Sequence, residues 1–184
     1  MCDVLRQHTF RQLTLQNWQR DLREQAEAQG IGRAAGAILP HLLEWVDRRH
    51  GGLTYRLVQV LTGHGCFGEY LHRVARREPT PRCHHCVEEE EGQDTAQHTL
   101  ESCPAWADER LLLAPHFRDD FELSTMVKTM VDSEEAYGAM VSFCEQIMSQ
   151  KETAERERES DPSADPARRR RPGRRKRTYL RNQL

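Results

Sequence analysis

Apolar side chains recurring at three- and four-residue spacing, glycine and proline breaks between those stretches, and one cysteine/histidine quartet predict a mainly α-helical chain. The expected architecture is a small helical domain stapled by one Cys-Cys-His-Cys zinc knuckle, followed by a disordered C-terminal tail. With 184 residues, 37% hydrophobic and 30% charged, the chain suits one ordinary domain with one modest core plus appendages.

From about Thr9 to Gln29, Phe10, Leu13, Trp18 and Leu22 lie among Gln, Arg and Glu, which predicts a weakly amphipathic helix ended by Gly30. A second apolar stretch runs from Ala34 through Ala37, Ile38, Leu39, Leu42, Leu43, Trp45 and Val46 to Gly51-Gly52. Pro40 marks a helix start or kink within it. Leu53, Leu57, Val58 and Leu61 recur at helical spacing, as do Phe67, Tyr70, Leu71 and Val74, with Thr62-Gly63-His64-Gly65 as a hinge between them. Pro79 and Pro81 then break the chain. Asp94 or Thr95 can cap a short helix carrying His98, and Trp106, Arg110, Leu111 and Leu113 form another helix closed by Pro115. The cleanest stripe is Tyr137, Met140, Val141, Cys144, Ile147 and Met148, with Ser133 as cap and Glu134 and Glu135 at the positive end of the helix dipole.

Cys83, Cys86, His98 and Cys103 have the spacing Cys-x2-Cys-x11-His-x4-Cys. Two thiolates from one tight turn grip one ion, and a helix presents the histidine about one turn before the last cysteine, so the quartet predicts one structural Zn²⁺ site. His84 and His85, inside the first turn, compete for the fourth position. Four protein ligands leave no open position for catalysis, so no catalytic residue is assigned. Asp119-Asp120 is the sole Asp pair; it lies in a proline- and charge-rich stretch without flanking strands and reads as a solvated pair rather than a polymerase metal site.

The six cysteines cluster around histidine and no apolar leader precedes them, which argues against a secreted disulfide framework. No apolar run approaches the ~18 to 20 residues that span a bilayer, so no membrane partner is expected, nor is a small-molecule substrate. The formal charge of −2 hides an asymmetry. Residues 1–167 hold 18 basic and 29 acidic groups, whereas residues 168–184 hold nine basic groups and no acid. The tail Arg168, Arg169, Arg170, Arg171, Arg174, Arg175, Lys176 and Arg177 fits phosphate-rich ligands, a nuclear import receptor or simply a solvated end.

The stretch Leu61-Thr62-Gly63-His64-Gly65-Cys66-Phe67-Gly68-Glu69-Tyr70-Leu71, then Cys83-x2-Cys86, Asp94-Thr95-Ala96-Gln97-His98-Thr99-Leu100 and Cys103-Pro104-Ala105-Trp106 with Arg110, carries a family resemblance. It resembles the segment beyond the reverse transcriptase core in the Pol polyproteins of insect non-LTR retrotransposons, the type-1 elements inserting in ribosomal DNA and their relatives. The resemblance covers about Leu53 to Leu113 best. It implies that Cys83, Cys86, His98 and Cys103 form a nucleic-acid-binding zinc knuckle. It also implies a parent polyprotein that is an RNA-directed DNA polymerase with an N-terminal endonuclease, whose active sites this chain lacks.

The expected organisation is N-terminal helices with a candidate docking region over 1–52, a zinc-knuckle module over 53–115, C-terminal helices over 116–150 and a disordered acidic-then-basic tail over 151–184. The resemblance implies RNA or DNA as partner during target-primed reverse transcription, alongside the polymerase portion of the same polyprotein, and a nuclear location after cytoplasmic synthesis. The acidic run Glu88 to Glu91 repels phosphate and is expected to face away from nucleic acid. This leaves Arg73, Arg76, Arg77 and Arg82 as candidate contacts, with Trp106 either a base-stacking surface or core. His64 is either a backbone-pinned structural histidine or a phosphate contact, and Cys66 a small buried hydrophobe. The rival readings are a protein-interaction module whose zinc merely staples helices and whose Tyr137–Met148 stripe or Trp18 helix docks on a polymerase body, or a domesticated remnant of the element.

Overall fold

The computed structural model describes residues 2–86, 92–165 and 168, with side chains from residue 9 onward. The chain is mainly helical, and the described residues contain one isolated antiparallel bridge, Arg82 to Gln93, and no strand.

Helix α1 spans Cys2–Gln29, a run rich in Gln, Arg, Glu, Leu and Ala that all favour helix. It ends at Gly30, whose φ of 78° lets its N–H reach the Ala26 carbonyl at 2.9 Å. The face that meets the body is not the one the aromatic positions suggested. Leu15 is buried, Gln19 Nε2 donates to the Leu39 carbonyl at 2.8 Å and Arg11 pairs with Asp47 at 2.9 Å, while Phe10, Leu13 and Trp18 face outward.

Helix α2 (Arg33–Ile38), a 3-10 turn at Leu39–His41 carrying Pro40 in its first positions, and α3 (Leu42–Asp47) follow. After α3, Arg48 bonds the Trp45 carbonyl and lies 4.0 Å over the Trp45 ring. Gly51 then passes directly beneath Tyr137, whose hydroxyl donates to the Gly52 carbonyl at 2.9 Å. Helix α4 (Tyr55–Thr62) is capped by Thr54, which accepts from the Leu57 N–H, and buries Leu57, Val60 and Leu61 while Leu53 and Val58 stay exposed. Helix α5 spans Gly68–Arg73, behind a fully buried Phe67.

Helices α6 (Ala96–Glu101), α7 (Ala107–Leu111) and α8 (Ala114–Phe117) are short, and Pro115 starts α8 rather than closing the preceding helix. Helix α9 (Leu123–Asp132) was not singled out from the sequence, although Leu123, Met126, Val127 and Met130 form a buried stripe. The Glu122 carboxylate caps it by accepting from the Ser124 and Thr125 N–H groups. Helix α10 (Glu134–Ser160) starts at its expected cap, Ser133, and buries the expected Tyr137, Met140, Cys144, Ile147 and Met148 against α9 and α4.

Disorder expected from residue 151 is corrected for residues 151–160, which continue α10. The charges there are paired with the body rather than left to water: Arg56 holds Glu145 at 2.8 Å and Glu152 at 3.0 Å, Arg77 meets Glu155 and Glu159, and Lys151 meets Asp94. Arg158 bonds Glu155 at 2.9 Å. Further on, Arg168 reaches the buried Glu78 carboxylate at 2.9 Å, and residues 169–184 lie outside the described residues.

Gly51 has a φ of 72°, and a Cβ there would sit 2.3 Å from the Tyr137 ring. Gly51→Ala therefore combines left-handed backbone strain with overpacking and should lower stability by about 2 to 4 kcal/mol. Urea denaturation measures this; an unchanged midpoint contradicts the tight approach.

Candidate metal centre

The metal quartet is brought together by a small loop and a one-and-a-half-turn helix. Residues 81–83 and 92–94 run antiparallel, with the Cys83 N–H on the Gly92 carbonyl and the Asp94 N–H on the Pro81 carbonyl, both at 2.9 Å. Thr95 caps α6 by accepting from the His98 N–H at 2.9 Å, which fixes the helix that carries the histidine. As α6 ends, the Cys103 N–H still bonds the His98 carbonyl at 2.8 Å, so the last cysteine curls back over the histidine.

The ligating atoms of Cys83, Cys86, His98 and Cys103 all lie within 4.8 Å of one another. Cys86 and Cys103 sulfurs are 3.5 Å apart, Cys83 and Cys103 are 3.9 Å apart, and His98 Nε2 is 3.1 Å from the Cys86 sulfur. A tetrahedral ion with bonds of about 2.3 Å to sulfur and 2.0 Å to nitrogen needs sulfur–sulfur edges of ~3.8 Å and sulfur–nitrogen edges of ~3.6 Å. The two sulfur–sulfur distances lie within about 0.3 Å of that edge, the set as a whole stays within 4.8 Å, and three sulfurs with one imidazole are a donor set compatible with zinc.

The protein also orients the imidazole. His98 Nε2 faces the sulfurs and Nδ1 lies 3.0 Å from Ser102 Oγ, so with Nε2 on a metal ion Nδ1 would carry the proton and donate to Ser102. Sequence reading missed Ser102, although its place four residues after His98 on one helix face was visible. The two competing histidines stand elsewhere. His84 lies 3.4 Å from Glu78, and the His85 ring packs 4.9 Å from that of Trp106. Burial, with the Lys151 ammonium adding to it, pushes His85 down to about 4, so it is neutral near pH 7.

A bond from Cys103 holds the Cys83 thiol below its usual value against burial, with Lys151 helping, and the same bond pushes Cys103 up. Arg110 donates to the Thr99 carbonyl at 3.3 Å, and its charge acts on Cys103 and Cys86. A divalent ion with three thiolates carries −1, and Arg110 and Lys151 are cations placed to offset it.

Other sequence candidates disperse. Trp106 is only 3% exposed and belongs to the core, which removes its ring from base stacking. The exposed His64 donates its backbone N–H to Thr62 Oγ1 and packs its ring 4.7 Å from that of Tyr70. Cys66 is half-buried and its thiol is pushed up to about 11, chiefly by burial. Asp119 and Asp120 sit in an exposed turn where Asp120 accepts from the Glu122 N–H. Arg73, Arg76 and Arg82 are exposed, with Arg73 paired to Glu69 at 2.9 Å, whereas Arg77 turns inward to Glu155 and Glu159. Arg168 is held by Glu78, while Arg169, Arg170, Arg171, Arg174, Arg175, Lys176, Arg177 and the Glu88–Glu91 run lie outside the described residues.

Fold and site together define a small helical domain bearing one Cys3His cluster compatible with zinc. No family model, curated protein or solved structure matches the chain. No described helix is long and apolar enough to cross a membrane.

Removing the hydrogen bond that orients the imidazole, by Ser102→Ala, should weaken zinc binding about 10- to 100-fold with the fold retained. Competition against a chromophoric chelator reads this directly, and equal affinity for both proteins would deny Ser102 that role.

Proposed function

We propose that this chain is a C-terminal segment of a non-LTR retrotransposon reverse transcriptase polyprotein and serves it as a zinc-stabilised nucleic-acid-binding module. The observation that carries the reading is the convergence of Cys83, Cys86, His98 and Cys103 on one point, at the spacing that the Leu61–Leu71 and Asp94–Trp106 motifs accompany. Zn²⁺ is structural in this reading, because four protein donors leave no position for a reacting water. Template RNA or target DNA would be gripped by phosphate contacts from Arg73, Arg76 and Arg82 and by the basic tail, in the nucleus, during target-primed reverse transcription. Polymer synthesis and strand cleavage belong to portions of the parent polyprotein outside this sequence.

A second reading has specific support. Arg77 and Arg168 are held by carboxylates of the body, and α1 turns Phe10, Leu13 and Trp18 to solvent at 67%, 52% and 49% exposure. Those features favour a zinc-stapled module that docks on the polymerase body through α1.

Titrating fluorescent single-stranded RNA and duplex DNA with the full chain across a salt series separates the two. The nucleic-acid reading predicts affinity that falls with salt, and Arg73, Arg76 and Arg82 changed together to Ala should reduce the single-strand log–log slope by about 2, at ~0.7 per phosphate. Absence of binding at low salt would favour docking instead.

A further inference from the structure

Lys151 is a fully buried lysine in the middle of α10, and its ammonium lies 2.5 Å from Asp94 Oδ1 and 5.2 Å from the centre of the Phe67 ring. A buried ammonium is tolerated only while its counter-charge stays in place. Asp94 joins the metal loop to the start of α5: its N–H bonds the Pro81 carbonyl within the loop, while its carbonyl accepts from the Glu69 N–H and its Oδ2 from the Gly68 N–H at 2.9 Å. Gly68 is pressed so close to that loop that a Cβ would sit 2.7 Å from the Arg82 carbonyl oxygen. The loop has a single backbone bridge among the described residues, so a metal ion at the cluster is what closes it.

The two halves of α10 rest on different supports. Its first half buries Tyr137, Met140, Cys144 and Ile147 by apolar packing in the core that Leu100 and Trp106 of the loop also join, with no ion pair to the loop among the described residues. Its second half is seated by Lys151 and by the ion pairs of Glu152, Glu155 and Glu159.

We propose that the Lys151–Asp94 pair is a metal-dependent latch, which seats residues 151–160 of α10 only while an ion closes the 83–103 loop. The latch rests on the zinc reading of the quartet. Loss of the ion lets Asp94 move, leaves Lys151 without its partner and lifts the distal half of α10. The same movement takes Glu155 and Glu159 away from Arg77, so metal occupancy also sets the charge that Arg77 presents.

Hydrogen exchange of the full chain, with zinc and after chelation, tests the latch. In the wild type, chelation should raise exchange across 151–160 by about tenfold or more while 134–147 changes less than about threefold. Lys151→Met combined with Asp94→Asn replaces the pair by neutral groups, so chelation should then change 151–160 by about threefold or less. Asp94→Asn alone should release 151–160 even with zinc bound. The latch is overturned if both halves of wild-type α10 loosen together, if the double variant responds like the wild type, or if Asp94→Asn leaves 151–160 protected. A wild type that binds zinc yet keeps 151–160 protected after its removal overturns the latch alone, whereas a chain that binds no zinc overturns the metal reading and the latch with it.

Discussion

Between residues 81 and 106 the described residues hold one isolated backbone bridge, one short α-helix, one 3-10 turn and few large apolar side chains, so the shape of this stretch depends on the point where three sulfurs and one imidazole meet. Leu100 and Trp106 are the large apolar groups it buries, worth about 1.5 to 3 kcal/mol for a side chain of Leu size and somewhat more for Trp. Ordering each residue costs about 1 to 2 kcal/mol, which the burial of two side chains cannot offset over such a length. A zinc ion held by the quartet would contribute roughly 10 to 16 kcal/mol toward that cost. Such an ion would be the largest single local contribution, with Thr95 capping the helix that carries His98 and Ser102 placed to orient its ring.

The second constraint is electrostatic and ties that loop to the longest apolar stripe. Tyr137, Met140, Cys144 and Ile147 form the core-facing line of α10, and Lys151 and Glu155 continue the same line as buried charges. A surface pair contributes roughly 0 to 1 kcal/mol, but a buried lysine deprived of its partner is strongly destabilising, so the pairs on this line act mainly as requirements on geometry. Glu78 shows the same logic beside the first ligand turn. Burial works to raise its carboxyl, but bonds from His84 and Arg168 outweigh it and hold the group below the usual range. Its folded state is therefore favoured above the ordinary glutamate range, and this contribution fades as acidification protonates the carboxylate.

How much could be read in advance follows from which signals are local. The Cys/His quartet, the Ser133 cap and the Tyr137–Met148 stripe are fixed by spacing alone, and the structure contains each of them. Helix α9 carries an equally local stripe in Leu123, Met126, Val127 and Met130, legible from spacing within the stretch expected to hold C-terminal helices. The distal half of α10 is different. Its composition resembles a solvated tail, and only partners 57 to 96 residues away, such as Asp94 for Lys151 and Arg56 for Glu152, turn those charges inward. The orientation of α1 is equally hidden, since Leu15 competes with Phe10, Leu13 and Trp18 and the body decides between them.

Function rests on the same point as the fold. In the proposed retrotransposon segment, the closed zinc site gives geometry to a module whose exposed arginines or exposed α1 face then engage a partner. Native mass spectrometry of the folded full chain tests the foundation most directly. The account predicts a single zinc ion per chain, removable by chelation with loss of order across 83–103; a folded chain carrying no metal would contradict it.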